Sequence, residues 1–307
     1  MSHSFYLLTS PYRQLHWAQD CCRYVFLSVL TLATSAIAVT ENVQTKSADH
    51  LLSKHVYTAS NGMTLPYRLY LPKNTSQKTP LPLLIFLHGR GERGTDNNAN
   101  MFNNVGLFKG EHSILSHKNR QQFPTAILIP QCSDKTPHEE WARWKGNSAE
   151  QPFAGLGADG SYQQHAQPSA SSAATLELID LLIAQKRLDP QRIYLTGISM
   201  GGFGTWELTS RRPELFAAAV PMAGFSDPSK AALINTIPFW VFHGTTDQYN
   251  PVEGSRVMTQ KMKALGAAIT YTEYEGLGHG ETFEKAWQNT HILPWIFAQK
   301  KALSPQQ

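Results

Sequence analysis

Short apolar runs recur along most of this chain, and most lack the strict polar–apolar alternation of a half-exposed strand. Such runs are typical of strands that are buried on both faces of a parallel sheet. Helix-compatible stretches lie between them, and this alternation predicts a doubly wound α/β sheet. The expected strands are residues 83–87, 126–129, 193–196, 217–220, 239–242 and 269–274, and the expected helices are 173–185, 202–210, 253–265 and 284–299. Ligands are expected beyond the carboxyl ends of these strands.

A predicted hairpin leads the chain into this sheet. Two extended-looking runs, 55–60 and 63–71, flank Asn61-Gly62, which is a strong signal for a two-residue hairpin turn. We therefore expect a mostly parallel sheet with an antiparallel N-terminal hairpin, all within one domain at 55–303. The chain contains no internal repeat and no signal of a second domain.

A long segment at 131–168 separates one predicted strand from the next predicted helix and is poor in aliphatic residues. Loops of this length in a compact domain are usually functional or disordered. Trp141 and Trp144 lie three apart within it, so they share a face if the local turn is helical. Two interpretations remain open: both indoles pack at the edge of the core, or the segment is a lid-like insertion whose tryptophans form a wall over a substrate.

The N-terminal segment has the pattern of a secretory signal. An uncharged apolar stretch at 24–39 follows two arginines and ends in Ala36-Ile37-Ala38, which predicts a signal peptide at 1–38 and a linker at 39–54. An uncleaved membrane anchor is the alternative, because the segment before the apolar stretch is long for a signal. We expect a secreted or periplasmic protein without stable membrane association after cleavage, and N-terminal sequencing of exported protein distinguishes the two cases.

Cysteine content and charge exclude several classes of site and partner. Cleavage of the signal would leave Cys132 alone, so no intramolecular disulfide and no cysteine-based metal site is expected. The chain has 27 basic and 23 acidic side chains, a net charge of +4, and no run of lysine or arginine. No nucleic-acid partner is therefore expected.

The most informative motif is Gly197-Ile198-Ser199-Met200-Gly201, because an apolar run leads into it and a helix-compatible run leads out. A serine at the apex of a sharp strand-to-helix turn needs glycines two before and two after it, where a Cβ would collide with backbone. The following helix points its N-terminal amides at the same place. The five residues alone also fit an ordinary turn. The hypothesis of a nucleophile therefore depends on the predicted strand before them and the predicted helix after them.

Two later segments supply a base and an acid, which a serine hydroxyl needs to attack at neutral pH. Asp247 follows the predicted strand at 239–242, and His279 follows the one at 269–274. Each residue alone also fits a simpler role, Asp247 in a turn and His279 in a loop. The order Ser199, Asp247, His279 is the one expected of α/β-hydrolases, and all three lie at the same edge of the sheet.

The oxyanion of an acyl-transfer intermediate requires two hydrogen-bond donors. The backbone amide of Met200 follows the nucleophile directly, and the loop after the strand at 83–87 supplies the amide of Arg90 as the second candidate. The Arg90 side chain either binds an acidic substrate or pairs with Glu92, and the pairing is favoured for an exposed arginine. His88 and His243, which precede glycines at strand ends, are expected to hydrogen-bond backbone.

Five motifs in order, LPLLIFLHGRGERG, PQC followed by tryptophans, RIYLTGISMGGFGTWEL, VFHGTTD and GLGHGE, carry a family resemblance over residues 56–297. The chain resembles secreted α/β-hydrolases of the predicted-peptidase, polyhydroxybutyrate-depolymerase and feruloyl-esterase-like group, and is similar also to phospholipase/carboxylesterases. The resemblance implies the α/β-hydrolase fold with Ser199, Asp247 and His279 as the triad. Arg90 stands where a small or apolar residue is more usual, and the tryptophan segment is longer than expected.

These observations predict a serine carboxylic ester hydrolase that forms an acyl-enzyme on a small-molecule or polymer ester. A serine peptidase of the same fold is an alternative, since the same residues can cleave amides. A non-catalytic protein that binds ligands through Trp141 and Trp144 is a further alternative. No metal or organic cofactor is expected, because His138-Glu139-Glu140 lacks the second histidine of a zinc helix motif.

Overall fold

In the computed structural model, the described residues are 50–72, 79–102, 107–108, 110–136, 139–148, 150–185 and 188–301. The predicted signal peptide or anchor at 1–38 and most of the linker at 39–54 lie outside them, so both stay predictions. Within the described ranges, no helix is long and apolar enough to cross a bilayer.

A single eight-stranded sheet runs through the described residues. Its strands are β1 (Ser53–Thr58), β2 (Thr64–Tyr70), β3 (Leu81–Leu87), β4 (Ala126–Pro130), β5 (Leu188–Ile198), β6 (Ala218–Met222), β7 (Phe239–Gly244) and β8 (Ile269–Tyr274). They lie in the order β1-β2-β4-β3-β5-β6-β7-β8. The hairpin β1–β2 is antiparallel, β2 also pairs antiparallel with β4, and the remaining neighbours are parallel. The predicted α/β-hydrolase architecture, including the antiparallel entry, is confirmed.

The central strands are apolar at successive positions because both faces of the sheet are covered. In β3, Leu83, Ile85 and Leu87 belong to one buried cluster, whereas Leu84 and Phe86 belong to another. Successive side chains of a strand point to opposite faces, so the two clusters lie on opposite sides of the sheet. Both clusters exclude water almost completely at these positions.

Helices fill the connections between the strands. They are α1 (Ala99–Phe102), α2 (His117–Gln122), α3 (Ala170–Gln185), α4 (Met200–Arg211), α5 (Ala231–Ile234), α6 (Val252–Ala264), α7 (His279–Trp287) and α8 (Ile292–Ala298). The prediction of one helix at 284–299 is wrong, because two helices, α7 and α8, occupy this region. Pro294 has no N–H and its ring would clash within a helix interior, but it is tolerated in the first turn of α8. At the other end, Glu281 caps α7 by accepting a hydrogen bond from the Gly278 amide.

The segment at 131–168 consists mostly of irregular stretches, turns and bends in its described parts. Trp144 forms one isolated bridge with Gln164, which joins two stretches of the segment. The segment also packs tightly against α6, because a Cβ added at Gly160 would lie 2.8 Å from the Gly254 Cα. Trp141 and Trp144 are therefore not on a helix, and the shared helical face considered above does not form.

Candidate active site

Ser199 lies at the sharp turn between β5 and α4. Its backbone adopts φ +53° and ψ −119°, a conformation that residues other than glycine rarely adopt and that the surrounding structure must enforce. The flanking glycines are required by close backbone packing: a Cβ at Gly197 would lie 2.3 Å from the Gly201 oxygen, and one at Gly201 would lie 2.0 Å from the Leu87 oxygen. The geometry is that of the strand–turn–helix elbow anticipated from the sequence.

The structure brings Ser199, His279 and Asp247 into one hydrogen-bonded chain. The Ser199 Oγ lies 2.7 Å from the His279 Nε2. On the other side of the ring, the His279 Nδ1 lies 2.6 Å from the Asp247 Oδ2. With the Nδ1–H donating to the carboxylate, the Nε2 is left to accept the serine proton. The arrangement can therefore activate a hydroxyl as a nucleophile.

Asp247 is held as a carboxylate, and its side chain is fully buried. Burial alone would raise its pKa, but hydrogen bonds from His243 and His279 outweigh that effect and hold the pKa well below its usual range. Its other oxygen, Oδ1, accepts hydrogen bonds from the amides of Tyr249 and Asn250, each at 2.9 Å. Asp247 thus also forms the turn that the simpler interpretation suggested, so the two roles are compatible.

A cavity of about 440 Å³ opens beside Ser199 and His279. Most of its wall is apolar and includes Trp144, Phe153, Ile198, Met200, Phe203 and Phe283. Tyr249 and Phe283 contact the His279 ring edge-on, with ring centroids 5.2 Å and 4.9 Å away. Apolar clefts with a few converging polar groups are the usual form of small-molecule sites.

The two candidate oxyanion residues, Met200 and Arg90, both line this cavity. Met200 is the first residue of α4, and Arg90 begins a 3₁₀ turn directly after Gly89. The Arg90 side chain has a different partner from the expected Glu92. Its Nε donates to the Glu140 Oε1 at 2.9 Å, and its guanidinium lies 4.9 Å from the centre of the Phe153 ring.

The two predicted tryptophans occupy different environments. Trp144 lines the cavity and donates from its Nε1 to the Ala154 oxygen at 2.8 Å. Trp141 is fully buried in the core beneath α4, and its Nε1 donates to the His88 oxygen at 3.0 Å. Trp141 is not among the residues that form the cavity wall. The packing interpretation fits Trp141, whereas Trp144 lies where the substrate-wall interpretation requires it.

His88 makes the backbone hydrogen bonds expected of it. Its Nδ1 lies 2.7 Å from the Gly89 oxygen, and its Nε2 accepts from the Cys132 amide at 3.1 Å. Burial, opposed by the Gly89 hydrogen bond and aided by nearby Arg93, lowers the pKa of His88 to about 4. His88 is therefore neutral at working pH and organises the loop that precedes Arg90.

Several residues of the site were not singled out from the sequence. Phe153, Phe203, Tyr249 and Phe283 line the cavity, and Glu140 pairs with both Arg90 and Arg93 at its edge. Their contacts join parts of the chain that are far apart in sequence, so local patterns contain little signal for them. In the described part of the chain, no group of three His, Cys, Asp or Glu side chains is arranged to hold a metal ion.

The family described as “Putative esterase” matches residues 58–291. The chain belongs to this esterase family. Among curated relatives, the poly(3-hydroxyalkanoate) depolymerase C of Paucimonas lemoignei is 38% identical over 63 residues, which are 20% of this chain and 15% of the relative. The acetylxylan esterase A of Emericella nidulans is 28% identical over 151 residues, 46% of each chain. This chain thus spans less than half the length of either relative.

Solved structures show the same fold. A thermostable esterase superposes with a TM-score of 0.70 and 32% identity, over 83% of this chain and 64% of that one. A ferulic acid esterase superposes with a TM-score of 0.55 over 80% of this chain and 97% of that one. At 16% identity, the second likeness shows the fold alone.

Proposed function

We propose that this protein hydrolyses carboxylic esters through an acyl-enzyme. The Ser199 oxygen attacks the ester carbonyl while His279 takes the hydroxyl proton, and the tetrahedral intermediate expels the alcohol, which receives that proton. Water then attacks the acyl-enzyme with His279 again as base, and the acid is released with Ser199 restored. Asp247 orients His279, and the amides of Met200 and Arg90 stabilise the oxyanion.

The observation that carries this proposal is the continuous chain of hydrogen bonds from the Ser199 Oγ through His279 to Asp247. Ser199 and His279 both line the cavity. A structural role alone does not explain why a strained serine lies within 2.7 Å of an imidazole at the mouth of an apolar cleft. Membership of an esterase family gives independent support.

The cavity favours an uncharged substituent on the ester. Its wall is mostly apolar, and Arg90 is already paired with Glu140, which it shares with Arg93, so a substrate carboxylate would have to compete with Glu140 for that arginine. Both a small-molecule ester and one unit of a polymer ester fit this description, and the names of two curated relatives refer to polymers, a poly(3-hydroxyalkanoate) and an acetylxylan. We propose that the enzyme acts outside the cytoplasm, to which the predicted signal would direct it.

The proposal is tested by hydrolysis of short-chain p-nitrophenyl esters by the wild-type protein and by the Ser199→Ala variant. The variant loses the nucleophile, so we expect turnover to fall by about 10⁴-fold or more. Circular dichroism and the unfolding temperature should stay close to wild type, because alanine fits the space of the serine. Unchanged turnover in the variant would contradict the proposal.

The choice of substrate separates the esterase from the peptidase of the same fold. Acetyl, longer acyl, feruloyl and 3-hydroxybutyrate esters are compared with peptide anilides in the same assay. We expect cleavage of esters and little cleavage of anilides. Preferential cleavage of anilides would favour the peptidase, and no cleavage of any substrate would favour the binding protein.

A further inference from the structure

Besides His279, a fully buried histidine contacts the candidate acid, at the same carboxylate oxygen. His243 lies at the end of β7, four residues before Asp247, and its side chain is fully buried. The His243 Nε2 lies 3.2 Å from the Asp247 Oδ2, the oxygen that also contacts His279. His243 does not line the cavity wall, so it reaches the reacting atoms only through Asp247.

The neighbours of the Nε2 determine where the proton lies. The second atom close to it is the Asn250 carbonyl oxygen at 3.1 Å. Carboxylate and carbonyl oxygens only accept hydrogen bonds, so the Nε2 must carry a hydrogen and donate it. The structure thus assigns the protonation of this ring nitrogen from geometry alone.

Ser255 on α6 fixes the other side of the ring. Its Oγ is buried and lies 2.7 Å from the His243 Nδ1 and 3.3 Å from the Gly224 oxygen. A neutral ring accepts the serine hydrogen at Nδ1, whereas a charged ring donates to the Oγ, which then donates to Gly224. In both cases the Nε2 keeps its hydrogen, which is shared between the Asn250 oxygen at 3.1 Å and the Asp247 Oδ2 at 3.2 Å.

The other acidic group near His243, Glu273, already has hydrogen-bond partners of its own. Glu273 is the partner of His243 in the register of β7 and β8, and the Glu273 carboxylate binds Arg256 and Tyr271. Asp247 is therefore the acidic group that His243 contacts directly, at 3.2 Å.

We propose that His243 is a positioning residue for the candidate active site, which donates to Asp247 and, held by Ser255, fixes the carboxylate that orients His279. This inference rests on the proposed function. Asp247 then has the amides of Tyr249 and Asn250 on one oxygen and the His279 ring on the other, where the proposal adds the His243 Nε2 at 3.2 Å as a shared donor. Without His243, the carboxylate keeps its turn contacts but loses its second donor on Oδ2.

A matched pair of variants tests this role. His243→Gln places an amide donor near the position of the Nε2, whereas His243→Met has a similar size and no donor. We expect the methionine variant to lower kcat about tenfold, which is the loss of roughly one hydrogen bond to a charged group. KM should change less than about twofold, because His243 lies outside the cavity. The glutamine variant should recover at least about threefold of the lost kcat.

The pH profile separates this role from simple packing. Without the second donor, the charge of Asp247 is less compensated and stabilises the His279 imidazolium more strongly. The apparent pKa of kcat/KM should therefore rise in His243→Met and return toward wild type in His243→Gln. Equal losses of kcat in the two variants, with no shift in the pH profile, would show that the ring only fills space.

A measurement on the wild-type protein applies even if the methionine variant does not fold. In ¹⁵N-histidine-labelled protein, the His243 Nε2 signal should show an attached proton, and an unprotonated Nε2 overturns the inference. Wild-type protein that cleaves no ester contradicts the proposed function itself. Active wild type with an unchanged His243→Met variant contradicts only the role of His243.

Discussion

At the scale of single residues, Trp141 and Trp144 show how neighbours in sequence can have different roles. Each indole donates one hydrogen bond to a backbone oxygen. Trp141, however, packs closely against α4, since a Cβ added at Gly204 would lie 2.4 Å from the Cβ of Trp141. Trp144 instead faces the cavity. Loss of the first should therefore affect stability, and loss of the second should affect substrate binding.

Phenylalanine substitutions at the two positions form a matched pair, because each removes one indole donor. Trp141→Phe leaves the buried His88 oxygen without its donor, which should cost about 1–3 kcal/mol of unfolding free energy while KM changes little. Trp144→Phe reshapes the cavity wall, and about 1 kcal/mol of lost binding raises KM about fivefold. Chemical unfolding and ester kinetics measure the two effects. The opposite pattern would place Trp141 at the substrate instead.

At the scale of elements, α4 connects the nucleophile to the long segment before α3. Glu207 on α4 is buried, accepts from the Gln164 side chain at 2.7 Å, and binds Arg211 at 2.9 Å. Arg211 in turn donates to the Ala166 oxygen. These contacts hold the segment against the helix that begins at Ser199. Burial raises the pKa of Glu207 to about 7, although Arg211 and Gln164 oppose the shift.

This shift makes stability depend on pH in a defined direction. An unfolded glutamate titrates near 4.5, so between that pH and about 7 the folded state binds more protons. The contribution of Glu207 is fully present below pH 4.5 and is lost as the pH rises through about 7. Glu207→Gln removes this titration, so its unfolding free energy should fall less than that of wild type between pH 5 and 8.

The expected difference between the two proteins is on the order of 2 kcal/mol. Urea unfolding at pH 5 and pH 8 measures it, and groups that titrate equally in both proteins cancel. An identical pH dependence in the variant and in wild type would show that Glu207 stays ionised throughout this range.

The predicted boundaries of the elements rest on local patterns, and in the structure contacts with distant parts of the chain shift some of these boundaries. Residues 193–196 are strongly apolar and predict a short strand, but β5 begins at Leu188 because Leu188 pairs with Leu81 beyond an irregularity in register. Pro190 lies inside this extension, although proline is disfavoured in a central strand because it cannot donate to the ladder. Pairing with a neighbouring strand depends on residues that are distant in sequence. The start of β5 therefore cannot be predicted from the hydrophobic pattern of that strand alone.

At the scale of the whole molecule, the sheet topology explains why the candidate triad was predictable. Ser199, Asp247 and His279 each follow a strand of the parallel part of the sheet, and parallel strands end at the same edge. Chain order and strand ends therefore sufficed to bring them together. His243 and Ser255 act through side-chain contacts between β7 and α6, and no pattern along the chain marks such contacts.

The proposed ester hydrolysis depends most directly on Ser199 as an activated nucleophile. Labelling with a fluorophosphonate probe, followed by peptide mass spectrometry, measures this property without a choice of substrate. We expect one adduct, on the peptide that contains Ser199, and none in the Ser199→Ala variant. Absence of an adduct in wild-type protein, or an equal adduct in the variant, would contradict the account.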